Sequence, residues 1–287
     1  MCKSKTCVLT FDIEDWFQVE NLRGAIPRGS WDSQQLRVLD STEKILTILD
    51  EFNIKATFFI LGWIAERMPR LVRRISDVGH EIASHGYNHE LIPRLTLTEF
   101  RKDIVRAKSL LEDITGRQVI GYRAPAFSIT DSALDVLVEM GFIYDSSLYP
   151  VVVHDRYGSL SLPATSNGFP ERPFEIRTGF YEVPVSVLNV FGLRLPWGGG
   201  GYFRLLPYYL FTKGLNSIVQ NGPYVFYLHP WEIDVGQPRL KGIAAWHRFR
   251  HYVGLRNTES KLRKLIGECS IHFVCKRMVD LLNEREG

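Results

Sequence analysis

Glu81-Ile82-Ala83-Ser84-His85-Gly86-Tyr87-Asn88-His89 is the stretch from which the rest of the chain is read. Its apolar start has the character of a short buried strand, so two imidazoles emerge where that strand ends. His85 and His89 stand four residues apart, a spacing at which both rings reach one metal ion if the backbone makes a helical turn. Gly86 permits such a turn. Taken alone, the pair is equally compatible with two exposed loop histidines, and the surrounding sequence has to decide.

The same pattern, a β-rich run ending in polar groups, recurs on both sides. Cys7-Val8-Leu9-Thr10-Phe11 ends abruptly in Asp12-Ile13-Glu14-Asp15. Strand periodicity sets Asp12 and Glu14 on one face, Ile13 and Asp15 on the other. Acidic residues at a strand end ordinarily face solvent, but Trp16 and Phe17 follow at once and suggest a pocket wall. Residues 56–61 form the next predicted strand, and residues 119–122 lead into Arg123-Ala124-Pro125-Ala126-Phe127. Phe142-Ile143-Tyr144 leads into Asp145, where a turn cap and an active-site role are equally expected. Tyr224-Val225-Phe226-Tyr227-Leu228 delivers His229, which Pro230 biases towards extended geometry.

Helical signals lie between these runs. Asp40-Ser41-Thr42-Glu43 predicts a capping box opening a helix with Ile45, Leu46, Ile48, Leu49 and Phe52 on its buried face. Thr96-Leu97-Thr98-Glu99 predicts a second, with a stop at Gly116. Residues 68–78, 131–140 and 208–219 read as further helices. Strands and helices in alternation predict parallel βα units. Residues 149–177 read as an excursion over the barrel mouth, and 181–185 as an edge strand, since Pro184 cannot donate to a ladder. The glycine run at 198–201 has no phosphate-loop lysine and reads as a flexible rim or a point of close substrate approach, with an ordinary turn equally expected. The stretch 235–251 is basic and aromatic, and 262–282 supplies helices that cover the barrel or meet a partner.

With 287 residues, 45% hydrophobic and 23% charged, the composition is that of a globular α/β protein that buries a large core. A net charge of +3 with dispersed lysines and arginines argues against a nucleic-acid partner. No apolar run approaches the roughly 18 residues of a spanning helix. Cys2, Cys7, Cys269 and Cys275 are expected to be reduced thiols in the cytoplasm, because no export signal precedes the first strand; peripheral membrane association is compatible with this.

Five polar clusters follow five separate predicted strands, and in a parallel βα barrel such strand ends gather on one face. This convergence favours the metal reading of His85 and His89. A carboxylate with two histidines leaves positions open for water and substrate.

Thr10-Phe11-Asp12-Ile13-Glu14, Ser84-His85-Gly86-Tyr87-Asn88-His89, Arg123-Ala124-Pro125-Ala126 and Leu228-His229-Pro230 together resemble the motifs of the NodB-homology polysaccharide deacetylases. The similarity is greatest to the divergent exopolysaccharide-associated and peptidoglycan-deacetylase-like branch. It implies a distorted (β/α) barrel of about seven parallel strands over residues 1–240, with a loop-rich insertion at 149–203 and a helical extension at 241–287. It further implies Asp12 as catalytic base, Arg123 as its orienting partner, the Ala126 amide as oxyanion donor and His229 as general acid. His85 and His89 match the metal-binding histidines. The usual second aspartate is replaced by Ile13, so the carboxylate ligand is Glu14 by periodicity, or Asp15 if the strand bulges. Trp16, Tyr122, Pro125, Asp145, Leu228 and Trp231, beside these motifs, are expected to touch the sugar. Ala126 stands where the family usually has an aromatic residue, and the expected tryptophan element beyond Asp145 is not evident.

The function so implied is removal of an N-acetyl group from an acetamidosugar, oligosaccharide or sugar-lipid in surface polysaccharide synthesis. The expected cofactor is a divalent metal, first Zn2+, with Co2+, Mn2+ and Fe2+ also suited. A ureide or cyclic-amide hydrolase and a non-catalytic carbohydrate-binding relic are the alternatives.

Overall fold

The computed structural model describes residues 5–151, 158, 160–161 and 171–284; Cys2 and much of the 149–177 excursion lie outside them. Eleven strands are described: β1 Thr6–Ile13, β2 Thr57–Ile60, β3 Glu81–Ser84, β4 Gly121–Tyr122, β5 Tyr144–Asp145, β6 Phe174–Arg177, β7 Phe180–Glu182, β8 Val187–Val190, β9 Leu193–Pro196, β10 Tyr224–Leu228 and β11 Val274–Lys276. Ten helices accompany them: α1 Val38–Glu51, α2 Gly62–Arg67, α3 Pro69–Asp77, α4 Leu97–Thr115, α5 Asp131–Glu139, α6 Gly200–Leu205, α7 Tyr208–Ile218, α8 Ala245–Tyr252, α9 Leu255–His272 and α10 Met278–Asn283. None is long and apolar enough to cross a membrane.

The main sheet runs β10-β1-β2-β3-β4-β5-β7-β6, with β11 added beside β1. Every pair from β10 to β7 is parallel, and β6 returns antiparallel. The sheet curls until irregular backbone meets β10: Val225 N donates to Ser186 Oγ at 2.8 Å and Tyr227 N to Gly198 O at 2.7 Å. Seven parallel strands therefore make a distorted (β/α) barrel, as the family resemblance implied, with the parallel pairing expected from the alternation of elements.

Strand parity divides the apolar residues into two layers. Leu9, Phe11, Phe58 and Phe226 face outward and pack with Ile45, Ile48 and Leu49 of α1 and other helical residues. Val8, Phe59, Ala83, Tyr144 and Val225 face inward and are joined by Met278 and Leu282 of α10. By the same parity Thr10 and Asp12 follow Val8 on the inner face, and His229 follows Val225 and Tyr227.

Of the two predicted capping boxes, one forms. Thr96 and Glu99 form the predicted capping box of α4, and Gly116 ends that helix at φ 66°. The box at Asp40 does not form; α1 begins earlier, and the buried Asp15 carboxylate accepts from the amides of Arg37 at 2.7 Å and Val38 at 2.9 Å. The predicted edge strand is interior, because β7 ends at Glu182, before Pro184, and pairs with both β5 and β6. The glycine rim is a fitted element: at Gly199, φ 138°, a Cβ would stand 2.0 Å from Tyr227 O. Strand β11 went unpredicted, so the C-terminal segment contributes to the barrel sheet as well as covering it.

His80, just before β3, gives a pH signature of folding. Its buried Nδ1 accepts from Ala56 N at 3.1 Å, and burial, reinforced by Lys55 and Arg277, lowers its pKa to about 4. The unfolded imidazole binds its proton near 6.5, so this contribution is complete above about 6.5 and is lost as pH falls towards 4. The pH dependence of urea-unfolding free energy should therefore be shallower in His80→Gln than in wild type between pH 7 and 4. The expected difference is on the order of 3 kcal/mol.

Candidate active site

The C-terminal strand ends surround a cavity of about 590 Å³ with Asp12, Glu14, His85, His89, Ala126, His229 and Trp231 among its walls. The histidine turn is irregular rather than helical. Gly86 takes φ 71° and His89 φ 54°, and Asp103 of α4 accepts from the amides of Tyr87 at 2.6 Å and Asn88 at 3.0 Å. A Cβ on Gly86 would stand 2.9 Å from Asp103 Oδ2, so the close approach of that carboxylate depends on glycine.

His85 Nδ1 lies 2.8 Å from Arg123 O; donation to that carbonyl leaves Nε2 free for the cavity. Burial lowers its pKa to about 4, with His89 adding to the effect against the opposing pull of Asp12 and Glu14. Potential ligand atoms of Glu14, His85 and His89 all lie within 4.8 Å of one another. Burial opposes ionisation of Glu14, yet the positive potential of His89 and His229 holds its carboxyl well below the usual range.

Arg123 is wholly buried behind this group. Its Nη1 donates to Asp12 Oδ1 and Thr10 Oγ1, both at 2.7 Å, and Nε and Nη2 donate to Ser146 O and Oγ. The second Asp12 oxygen, Oδ2, is 3.8 Å from His229 Nε2. His229 Nδ1 pairs with Glu232 Oε1 at 2.7 Å, and Arg204 Nε donates to Glu232 Oε2 at 2.6 Å. Burial disfavours the imidazolium, but Glu14, Glu232 and Asp12 outweigh it and raise the His229 pKa to about 9. Ala126 sits in a turn with positive φ at both Ala126 and Phe127, 50° and 57°.

Sequence similarity supplies the context for this geometry. A family model described as polysaccharide deacetylase matches residues 2–144, and one described as a domain of unknown function (DUF3473) matches 146–279. The peptidoglycan deacetylase of Helicobacter pylori is 30% identical over 216 residues, covering 65% of this chain and 74% of that protein. The chain belongs to the polysaccharide deacetylase family. A peptidoglycan-N-acetylglucosamine deacetylase of Bacillus cereus is 35% identical over 105 residues, 37% of this chain; the match spans only 38% of that relative's length. A solved Mycobacterium smegmatis structure, provisionally described as a polysaccharide deacetylase, superposes with TM-score 0.65 at 24% identity, covering 99% of this chain and 91% of that one. It shares the fold.

The donor set suits a divalent ion, as expected for this family. Glu14 Oε2 is buried without a hydrogen bond, yet lies 2.5 Å from His89 Nε2. A buried carboxylate oxygen so close to an imidazole nitrogen, with the other oxygen, Oε1, accepting from Trp231 Nε1 at 3.1 Å, is arranged for a cation. Asp15 does not join them; its carboxylate serves the start of α1.

Five sequence-predicted sugar contacts stay away from the cavity wall. Tyr122 and Leu228 precede Arg123 and His229 by one residue, so parity turns them outward; Tyr122 packs edge-on against Phe100 and Phe142. Trp16 donates its Nε1 to Gln35 O, and Pro125 is buried. Asp145 is a buried turn cap, accepting from Ser147 Oγ and N beside Glu182, and burial raises its pKa to about 6. Sequence reasoning missed Asp103, Glu232 and Arg204. Only Glu232 had a local signal, three residues after His229.

Glu232→Gln removes the negative charge at His229 Nδ1. In the metal-free protein the His229 pKa should fall from about 9 towards its ordinary value, read from the pH titration of its imidazole NMR signals.

Proposed function

We propose that the chain is a metal-dependent hydrolase that removes N-acetyl groups from an acetamidosugar or oligosaccharide, with a role in surface polysaccharide synthesis. The observation that carries this reading is the placement of the Glu14, His85 and His89 ligand set beside the Asp12–Arg123 and His229–Glu232 pairs in one cavity. Glu14, His85 and His89 would hold the ion, with Zn2+ the first candidate. When bound, it supplies Lewis-acid polarisation of a carbonyl and acidification of water.

Asp12, fixed at Oδ1 by Arg123, takes the proton of the attacking water at Oδ2. The Ala126 amide steadies the developing oxyanion. His229 carries its proton at neutral pH because three carboxylates face it. It delivers that proton from Nε2 to the amine nitrogen as the C–N bond breaks, and acetate leaves. In this reading residues 1–240 form the catalytic unit with the insertion at 149–203, and 241–287 is an extension that also shapes the cavity.

Purified protein should take up stoichiometric divalent metal and release acetate from acetamidosugars or peptidoglycan fragments. His89→Ala should lose metal and activity together. Asp12→Asn should keep the metal while acetate release falls by about a hundredfold or more. Metal uptake without acetate from any acetamide would favour the ureide or cyclic-amide reading. Sugar binding unchanged in Asp12→Asn, with no metal uptake or turnover in wild type, would favour a binding relic.

A further inference from the structure

One side of the cavity mouth is apolar and exposed. Tyr202 and Leu205 of α6 and Trp246 and Phe249 of α8 all border the cavity, and all remain exposed, Trp246 by 62%. Tyr209 and Leu210, at the start of α7, are exposed as well. Single exposed apolar residues are ordinary, whereas a group gathered at a cavity rim signals a contact surface. Helix α8 buries His251 and Tyr252 while showing Trp246 and Phe249, stacked with centroids 5.8 Å apart and planes 20° apart.

The charge that this part of the chain contributes is predominantly basic. Residues 183–258 contain two acids, Glu232 and Asp234, both buried and engaged by Arg204 and Arg37. Arg239, Lys241 and Arg248 are exposed in the same stretch. Glu20, in the segment packed against α8, also borders the cavity, and its carboxylate is ion-paired with Arg23 and Arg94.

We propose that the α6–α8 side of the mouth docks on a bilayer containing anionic phospholipid, and so presents the cavity to an N-acetylated glycan carried at that surface. The glycan part rests on the deacetylase reading; the docking does not. Trp246, Phe249 and Tyr202 sit at headgroup depth, Leu205 reaches the acyl boundary, and Lys241 and Arg248 meet phosphate. A sugar-stacking platform would account for the aromatic residues, but not for the exposed Leu205 or for the exposed cations Lys241 and Arg248.

The test is co-sedimentation of the full chain with phosphatidylcholine vesicles, with and without phosphatidylglycerol. The protein should sediment with the anionic vesicles only, and less so as salt is raised. Lys241→Glu/Arg248→Glu should weaken binding by about tenfold or more, and Trp246→Ser/Phe249→Ser should also weaken it. Lys102→Glu, on α4, should bind as wild type does, and thermal melting of each variant establishes that it is folded. No binding to anionic vesicles, or binding indifferent to both double variants, overturns the proposal. So does vesicle binding that survives Trp246→Ser/Phe249→Ser while binding of soluble chitooligosaccharide is lost. An inactive protein that binds vesicles would count against the deacetylase reading alone, and an active one that does not bind would count against docking alone.

Discussion

A single buried guanidinium holds the two sides of the barrel together at the level of the site. Arg123 reaches from the end of β4 to Ser146 beyond the adjacent β5 and to Thr10 and Asp12 on β1, which is not a neighbour of β4 in the sheet. Its partners extend the connection, Thr10 Oγ1 donating to Phe226 O on β10 and Ser146 Oγ to Val183 O. The Phe59 ring lies 4.1 Å from its Cζ. Burying such a charge is costly unless its donors are met, and removing either partner strands the other in a dry interior. Strand order, barrel curvature and the orientation of Asp12 therefore constrain one another.

A second buried arginine ties the other half of the site to the C-terminal segment. Arg204 supports Glu232 beneath His229, and its remaining donors go to the carbonyls of Arg250, His251 and Val253 at the end of α8. Helix α9 reinforces the junction, Lys261 Nζ donating to Phe203, Arg204 and Leu206 carbonyls. The protonation of His229 and the position of the aromatic rim consequently depend on the same side chain, although the residues lie in different parts of the chain. Nothing local in the sequence announces this.

That contrast explains what could be read in advance. Strand ends, capping boxes and the histidine pair are short-range patterns, and Asp12, Glu14, His85, His89 and His229 were identified from them and meet in one cavity. Asp15, Asp103 and Arg204 reach partners 15 or more residues away, across contacts that exist only once the barrel has closed. The errors at Tyr122 and Leu228 are different in kind. Each is adjacent to an inward-pointing residue, and the alternation of strand side chains already places it in the outer layer.

The same alternation bears on the departure at Ile13. A residue following Asp12 within β1 must face the helices, and Ile13 is buried there in the outer core, where a carboxylate would lack partners. The chain turns at once, Glu14 N bonding to Asp12 O at 3.0 Å, which returns the next side chain to the cavity from one residue further along. Glutamate has one methylene more than aspartate, and its reach brings Oε2 to His89 while Oε1 meets Trp231. A shift of one position, a longer side chain and an indole donor thus preserve a carboxylate oxygen beside two imidazoles without breaking the apolar outer face of the central strand.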